Sequence, residues 1–187
     1  MKKVAVLLAP GFEEGEAIII IDILRRLNIQ VDMLSCNDAL AVTSYHAIMV
    51  TADALLRDVA SQTWDAVVLP GGPQGSQFLS RDEQVLDFVR RHDEQGKLIC
   101  PICSAAARVL GGNALLKGRR YACSGDLWQN VGDGTWVDAP VVEDGNLISG
   151  KGFGLVFDFA FTVAARLLGD EAPAREHAEH IYYPWPR

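Results

Sequence analysis

Three short runs, Val4–Ala9, Ala66–Leu69 and Leu98–Ile102, are almost wholly apolar, and segments with helical spacing lie between them. A strand with one wet face alternates apolar and polar residues. Runs without that alternation belong to strands buried on both faces, as in a parallel sheet with helices above and below it. A fourth strand is expected at Gln30–Ser35, and helices near Glu13–Leu27, Asp82–Gln95 and Ser104–Leu110. The alternation predicts a three-layer α/β/α sandwich with a mainly parallel central sheet. Val141–Ile148 reads as a short β-hairpin, with Asp144-Gly145 suited to its tight turn. Phe153–Leu168, ended by Gly169, and Ala172–Ile181 read as closing helices. With no repeat, low-complexity tract or linker in view, residues 1–187 are expected to form a single domain.

Composition removes several function classes. A chain of 187 residues, 49% hydrophobic and 22% charged, has the balance of a water-soluble domain with a real core. Its net charge of −7 and scattered basic residues argue against nucleic acid, whose phosphate backbone needs clustered Lys and Arg. No apolar run reaches the ~20 residues that span a bilayer. Met1-Lys2-Lys3 leads straight into an apolar run too short for a secretory signal, so that run is read as the first strand and the cytoplasm as the expected compartment. Four cysteines are too few for a disulfide scaffold, and Cys36 and Cys123 are expected to be small buried apolar residues. The first helix carries Ile18-Ile19-Ile20-Ile21, apolar round most of its circumference. Either other helices of the chain cover the surplus or a second copy does, and a homodimer is the expectation.

The stretch Leu98 to Leu110 carries the most chemistry. It starts as a buried strand and continues as a helix of small residues, with Cys103 at the junction. A side chain there projects above the carboxyl ends of the strands, where open α/β sheets bind ligands. It also faces the amino end of the next helix, which favours an anion, and a thiol so placed can have its pKa lowered to about 3.5–7.5. The competing reading is an inert buried cysteine. Cys100-Pro101-Ile102-Cys103 also has dithiol spacing. With Cys100 in an extended strand, however, the two Cα atoms lie about 10 Å apart, beyond the ~7 Å reach of a disulfide.

Two further loops end at the same sheet edge. Leu69-Pro70-Gly71-Gly72 follows a buried strand, and its glycines let backbone approach a ligand. The amides of Gly72 and Ser104 could together form an oxyanion hole beside Cys103, or the segment could be a plain turn. In the loop after the first strand, Glu13 and Glu14 suit a first helical turn. Glu16 lies deeper, beside Ala17 and the isoleucines, where a carboxylate is less expected. If it turns toward Cys103, two charges at 4 Å with an effective dielectric near 20 repel by about 4 kcal/mol, or roughly three pK units. The pair would then hold one proton between them, expected on Glu16. His46 and His92 are read as solvated. His177 and His180, at i and i+3, have ligand spacing but no evident third ligand, so no metal and no cofactor are expected.

Ala9-Pro10-Gly11-x-Glu13-Glu14-x-Glu16, Leu69-Pro70-Gly71-Gly72, Ile102-Cys103-Ser104-Ala105 and Gly152-x-Gly154 before Phe157-Asp158-Phe159-Ala160, in that order, resemble the DJ-1/PfpI (ThiJ/PfpI) family across essentially the whole chain. The resemblance implies a flavodoxin-like fold, usually dimeric, with an elbow cysteine at Cys103 paired to a carboxylic acid at Glu16. It also implies oxyanion-type amides at Gly72 and Ser104, beside Gly71. Small single-domain members of this family are described as glyoxalases, deglycases, chaperones or oxidative-stress sensors. Two departures stand out. Protease-like and amidase-like members often have His directly after the cysteine, where this chain has Ser104. Some glyoxalase-type members have a His within the segment matching Tyr121–Asp126, which here contains none.

Three functions are therefore open at this point. The first is a cofactor-free enzyme that attacks small reactive carbonyls through Cys103, with Glu16 moving the proton. The second is a non-enzymatic stress sensor whose Cys103 oxidises. The third, an amidase- or peptidase-like hydrolase, is weakened by Ser104.

Overall fold

The computed structural model describes residues 1–186. In chain order it contains β1 (Lys3–Leu8), α1 (Glu14–Arg26), β2 (Gln30–Ser35), β3 (Ala41–Thr43), β4 (Met49–Thr51), β5 (Ala54–Leu55), α2 (Leu56–Val59), β6 (Ala66–Leu69), α3 (Pro73–Leu79), α4 (Glu83–Glu94) and β7 (Leu98–Pro101). Then come β8 (Arg120–Tyr121), β9 (Thr135–Trp136), β10 (Val141–Asp144), β11 (Leu147–Gly150), α5 (Val156–Leu168) and α6 (Ala172–His180). The main sheet runs β10-β11-β7-β6-β1-β2-β5. Every pairing in it is parallel except the β10–β11 hairpin. The fold is the expected flavodoxin-like α/β sandwich.

The strand order matters for function. β1 is flanked by β2 on one side, Lys3 opposite Gln30, and by β6 on the other, Val4 opposite Ala66. The chain leaves the carboxyl ends of β1 and β6 in opposite directions, and in open parallel sheets such a reversal opens a ligand crevice. β7 lies against β6 with Val68 opposite Cys100 and Leu69 opposite Pro101, so its end reaches the same rim.

Side-chain alternation along β1 builds the two core layers. Val4, Val6 and Leu8 face one apolar cluster, with Ile20 and Leu24 of α1 and Phe159 of α5. Ala5, Leu7 and Ala9 face the other, with Trp64, Phe88 of α4 and Leu110. Within the isoleucine run, Ile20 and Ile21 are buried by the chain itself, whereas Ile18 is 44% exposed.

Three differences from expectation have local causes. The helix after Cys103 is a wide π turn over Ala106–Leu110, tightened into a 3-10 turn at Gly111–Asn113. α3 follows Gly72 directly, with Pro73 in its first turn, where a missing N–H costs nothing. His92, read as solvated, is fully buried. Among the described residues, no helix is long and apolar enough to cross a membrane.

Candidate active site

Cys103 sits between the end of β7 and the π turn with φ of +60°, a left-handed conformation that is uncommon for a residue with a side chain. Such backbone costs on the order of 1–3 kcal/mol and persists where the surroundings fix it. Three backbone hydrogen bonds do so. Ile102 N donates to Leu69 O at 3.0 Å, Cys103 N to Gly150 O at 2.9 Å, and Ser124 N to Cys103 O at 3.2 Å. The left-handed turn places the sulfur at the rim of the sheet. Cys103 is half-buried, whereas Cys36, Cys100 and Cys123 are buried, and all four are free thiols. Cys100 lies inside β7 and burial pushes its thiol pKa up, so the dithiol reading has no support in the geometry.

Glu16 comes from the first turn of α1 and is 0% exposed. Gly71 N donates to its Oε2 at 2.7 Å, while Oε1 is buried without a hydrogen bond. Only a glycine fits at 71: a Cβ there would lie 2.6 Å from Cys103 Cβ and 2.7 Å from Glu16 Oε2. The sulfur and the carboxyl group thus meet in the space that a side chain at position 71 would fill. Because the Gly71 amide is committed to Glu16, Gly71 holds the acid rather than a ligand. Gly72 differs. Its φ is +95°, its carbonyl accepts from Ser76 N at 2.9 Å and Ser76 Oγ at 2.8 Å, and its own N–H has no acceptor among the described residues. The Ser104 amide is directed at the Cys103 sulfur. Its side chain points away, with Oγ 2.8 Å from Ser76 Oγ.

Electrostatics follow from this enclosure. Burial, opposed by the Gly71 amide and the thiol, raises the Glu16 pKa to about 7. Burial, and then the charge on Glu16, push the Cys103 thiol up to about 11, against the Ser124 hydroxyl and the Ser104 amide. The expected lowering of the thiol does not occur, because desolvation and a facing carboxylate outweigh what one short turn supplies. At neutral pH the thiol therefore keeps its proton, and Glu16 stands near the middle of its own titration.

Ser124 is the site residue that the sequence reading passed over. It lies in the Tyr121–Asp126 segment, which stands out in the sequence only for having no His, yet its hydroxyl interacts with the Cys103 sulfur and its amide holds the Cys103 carbonyl. His46 is exposed as expected, but its Nδ1 lies 2.6 Å from Glu14 Oε1, tying the β3–β4 hairpin to the first turn of α1, which carries Glu16. His177 and His180 have ring centroids 5.6 Å apart on α6. Among the described residues the group of three possible metal ligands is Glu13, Glu14 and His46, and two of them, His46 and Glu14, already contact each other at 2.6 Å.

The model of the DJ-1/PfpI family matches residues 2–166. The chain belongs to the DJ-1/PfpI family. It is 38% identical over 172 residues to Protein dj-1beta of Drosophila melanogaster, covering 91% of each chain. It is 31% identical over 186 residues to Protein DJ-1 homolog B of Arabidopsis thaliana, spanning 99% of this chain and 42% of that much longer one. Among solved structures, a C103A mutant of a DJ-1 superfamily protein from Salmonella typhimurium superimposes with a TM-score of 0.98 at 68% identity, covering 99% of this chain and 100% of the other. Membership in the DJ-1/PfpI family accounts for the fold and the elbow but names no substrate.

Proposed function

We propose that this protein is a cofactor-free enzyme acting on small reactive carbonyls, of the α-oxoaldehyde class or their adducts, with Cys103 as nucleophile and Glu16 as proton carrier. The observation that carries this reading is the strained Cys103 packed at Gly71 beside a fully buried carboxyl group whose pKa is raised to about 7. A carboxylate with that pKa suits general-base work at the pH of a cell.

In the first step Glu16 takes the thiol proton while sulfur bonds to the carbonyl carbon. The carbonyl π pair moves onto oxygen, where the Gly72 and Ser104 amides donate hydrogen bonds to the oxyanion. Glu16 then returns the proton to that oxygen, giving a hemithioacetal. With an α-oxoaldehyde, Glu16 can carry the proton from the hemithioacetal carbon to the neighbouring carbon while the hemithioacetal hydroxyl proton passes to the former ketone oxygen, leaving a thioester of a 2-hydroxy acid that water cleaves. The absence of His beside Cys103 weighs against the peptidase reading. The cytoplasm is the proposed compartment.

The test is a direct assay of 2-hydroxy acid formed from methylglyoxal by the full chain. Cys103→Ser and Glu16→Gln are each expected to lose at least about a hundredfold in turnover. Normal turnover by either variant overturns the proposal, and so does loss of aldehyde without hydroxy acid, since a bare thiol consumes aldehyde alone.

A second reading has its own observation. Cys103 is the one half-exposed thiol of four, the setting of a residue that oxidises selectively. Two successive peroxide molecules would each transfer one oxygen to sulfur and leave as water, giving a sulfinic acid next to Glu16. Peptide mapping after mild peroxide should find two added oxygens at Cys103, and equal oxidation of Cys36 or Cys123 sinks that reading.

A further inference from the structure

A polar cavity of about 330 Å³ opens between α3 and the turn that follows Cys103, lined by Pro73, Gln74, Gln77, Ser80, Arg81 and Arg108. Two of those six side chains are guanidinium groups and none is acidic. In a chain of net charge −7 that is an unusual local balance. Eight other arginines at described positions each have a carboxylate partner. Arg91 has none, but both its Nη groups are taken up by the carbonyls of Ala60, Ser61 and Gln62 and the Thr63 hydroxyl. Only Arg81 and Arg108, among the described residues, have neither an acid partner nor acceptors on both Nη groups, and both line this one cavity.

Arg108 is also held in place. Its Nη1 donates to Pro73 O at 2.8 Å and lies 3.3 Å from Ser76 Oγ, while Nε and Nη2 have no acceptor. A guanidinium anchored by one nitrogen with its others free is preorganised for an incoming oxyanion, and less side-chain entropy is lost on binding. Arg81 is exposed, and its side chain makes no hydrogen bond to any described residue, so its fork is available. The Gln74 and Gln77 amides add neutral donors between the two charges. Asp82 lines an adjoining recess, and its Oδ1 is occupied by the Gln84 and Val85 amides as the cap of α4. That recess, about 450 Å³, shares Gln74, Gln77 and Arg81 with the polar cavity and adds the 38%-exposed Phe78 ring. Anion site and apolar ledge are continuous.

We propose that this cavity binds a small phosphate monoester, its dianionic head between Arg81 and Arg108 and its organic part on Phe78. Two guanidinium forks match the tetrahedral oxygens of a dianion better than they match one carboxylate. The combined volume is that of a small-molecule site. The site is separate from Cys103 and does not depend on the chemistry proposed there.

The experiment titrates inorganic phosphate and, separately, phenyl phosphate into the full chain at constant ionic strength set with sodium chloride. Arginine Nε–H and glutamine side-chain amide resonances are followed by NMR, with calorimetry in parallel. Saturable shifts at Arg81, Arg108, Gln74 and Gln77 are expected, with phenyl phosphate binding more tightly than phosphate. Arg81→Gln should weaken binding at least about tenfold, the equivalent of one charge-assisted contact. Arg108→Gln should do the same, whereas Arg120→Gln and Cys103→Ser should bind as the wild type does. Should Arg108→Gln fail to fold, Arg81→Gln decides alone, because its side chain holds nothing in the fold. Linear, unsaturable shifts overturn the proposal. So do an unchanged affinity in Arg81→Gln, a loss of binding in Cys103→Ser, or equal affinity for the two phosphates.

Discussion

Glu16 is buried where a carboxylate is costly, and the sign of that cost can be worked out. Its pKa is raised from an ordinary 4.5 to about 7 in the fold. Below pH 4.5 the acid is neutral in folded and unfolded chains alike and nothing is lost. Between the two values the unfolded chain gives up its proton and the folded one does not, so folding is progressively disfavoured as pH rises through that window. Above pH 7 the full penalty stands, about 3 kcal/mol. Glu16→Gln keeps an oxygen for the Gly71 amide but no charge. It should match the wild type in thermal unfolding at pH 4 and exceed it at pH 8, with the difference growing through the intervening range. A flat difference would mean the carboxyl group is not desolvated. The same substitution tests the thiol. The charge on Glu16 helps push Cys103 up to about 11. Its removal should move the midpoint of iodoacetamide alkylation at Cys103 to lower pH. An upward move would show instead that Glu16 acts as a donor to thiolate, the arrangement expected from sequence.

Among the helices, α4 carries the clearest pH-dependent contact outside the site. His92 is fully buried, with Nδ1 2.7 Å from Phe88 O and Nε2 accepting from Trp64 N at 3.1 Å. Those partners fix a neutral imidazole, protonated on Nδ1 only, because a proton on Nε2 would meet the Trp64 N–H head-on. Burial accordingly lowers its pKa. A lowered base takes its proton in the unfolded chain first, so stability falls as pH drops below the ordinary value of 6.5. His92→Gln cannot protonate. Relative to the wild type its melting temperature should rise steadily from pH 7 to pH 5, and parallel curves would refute the assignment. This burial was legible: Val85, Phe88, Val89 and His92 fall on one stripe at helical spacing, and the charged neighbours obscured it. The parallel strands were legible within a residue or so because burial on both faces leaves continuous apolar runs. β3, β4, β5, β8 and β9 have two or three residues each, too few for any periodicity to register. At the site, the order of the loops was readable and the left-handed turn at Cys103 was not. Nothing in a cysteine favours positive φ; hydrogen bonds from β6, β11 and the Ser124 loop, all distant in sequence, impose it.

At the scale of the whole molecule, the surface around the start of α1 is left uncovered. Ile18 is 44% exposed, Ile48 52%, Met49 70% and Phe153 54%. These side chains belong to three segments that the fold draws together. The Phe153 ring is packed on Gly15, and the segment joining β3 to β4 is fastened to the loop before α1 by Tyr45 N donating to Phe12 O at 2.8 Å and by the His46–Glu14 pair. Four large apolar side chains clustered on one face are more than a monomer ordinarily shows to water, and a self-complementary two-fold contact is the commonest way to cover them. The site gives this contact a consequence, because the same first turn of α1 positions Glu16. A homodimer is therefore predicted: sedimentation equilibrium should return twice the 20.4 kDa chain mass. Since the patch is apolar, that mass should hold from low to high salt, where an ionic contact would loosen. Ile18→Glu with Met49→Glu adds two negative charges to each copy and makes them face their own images across the axis. The double variant should sediment as a single chain with its circular dichroism unchanged, since neither residue lies in the core. A wild-type mass of one chain would show that the patch is simply tolerated, and that α1 holds Glu16 in place without a second copy.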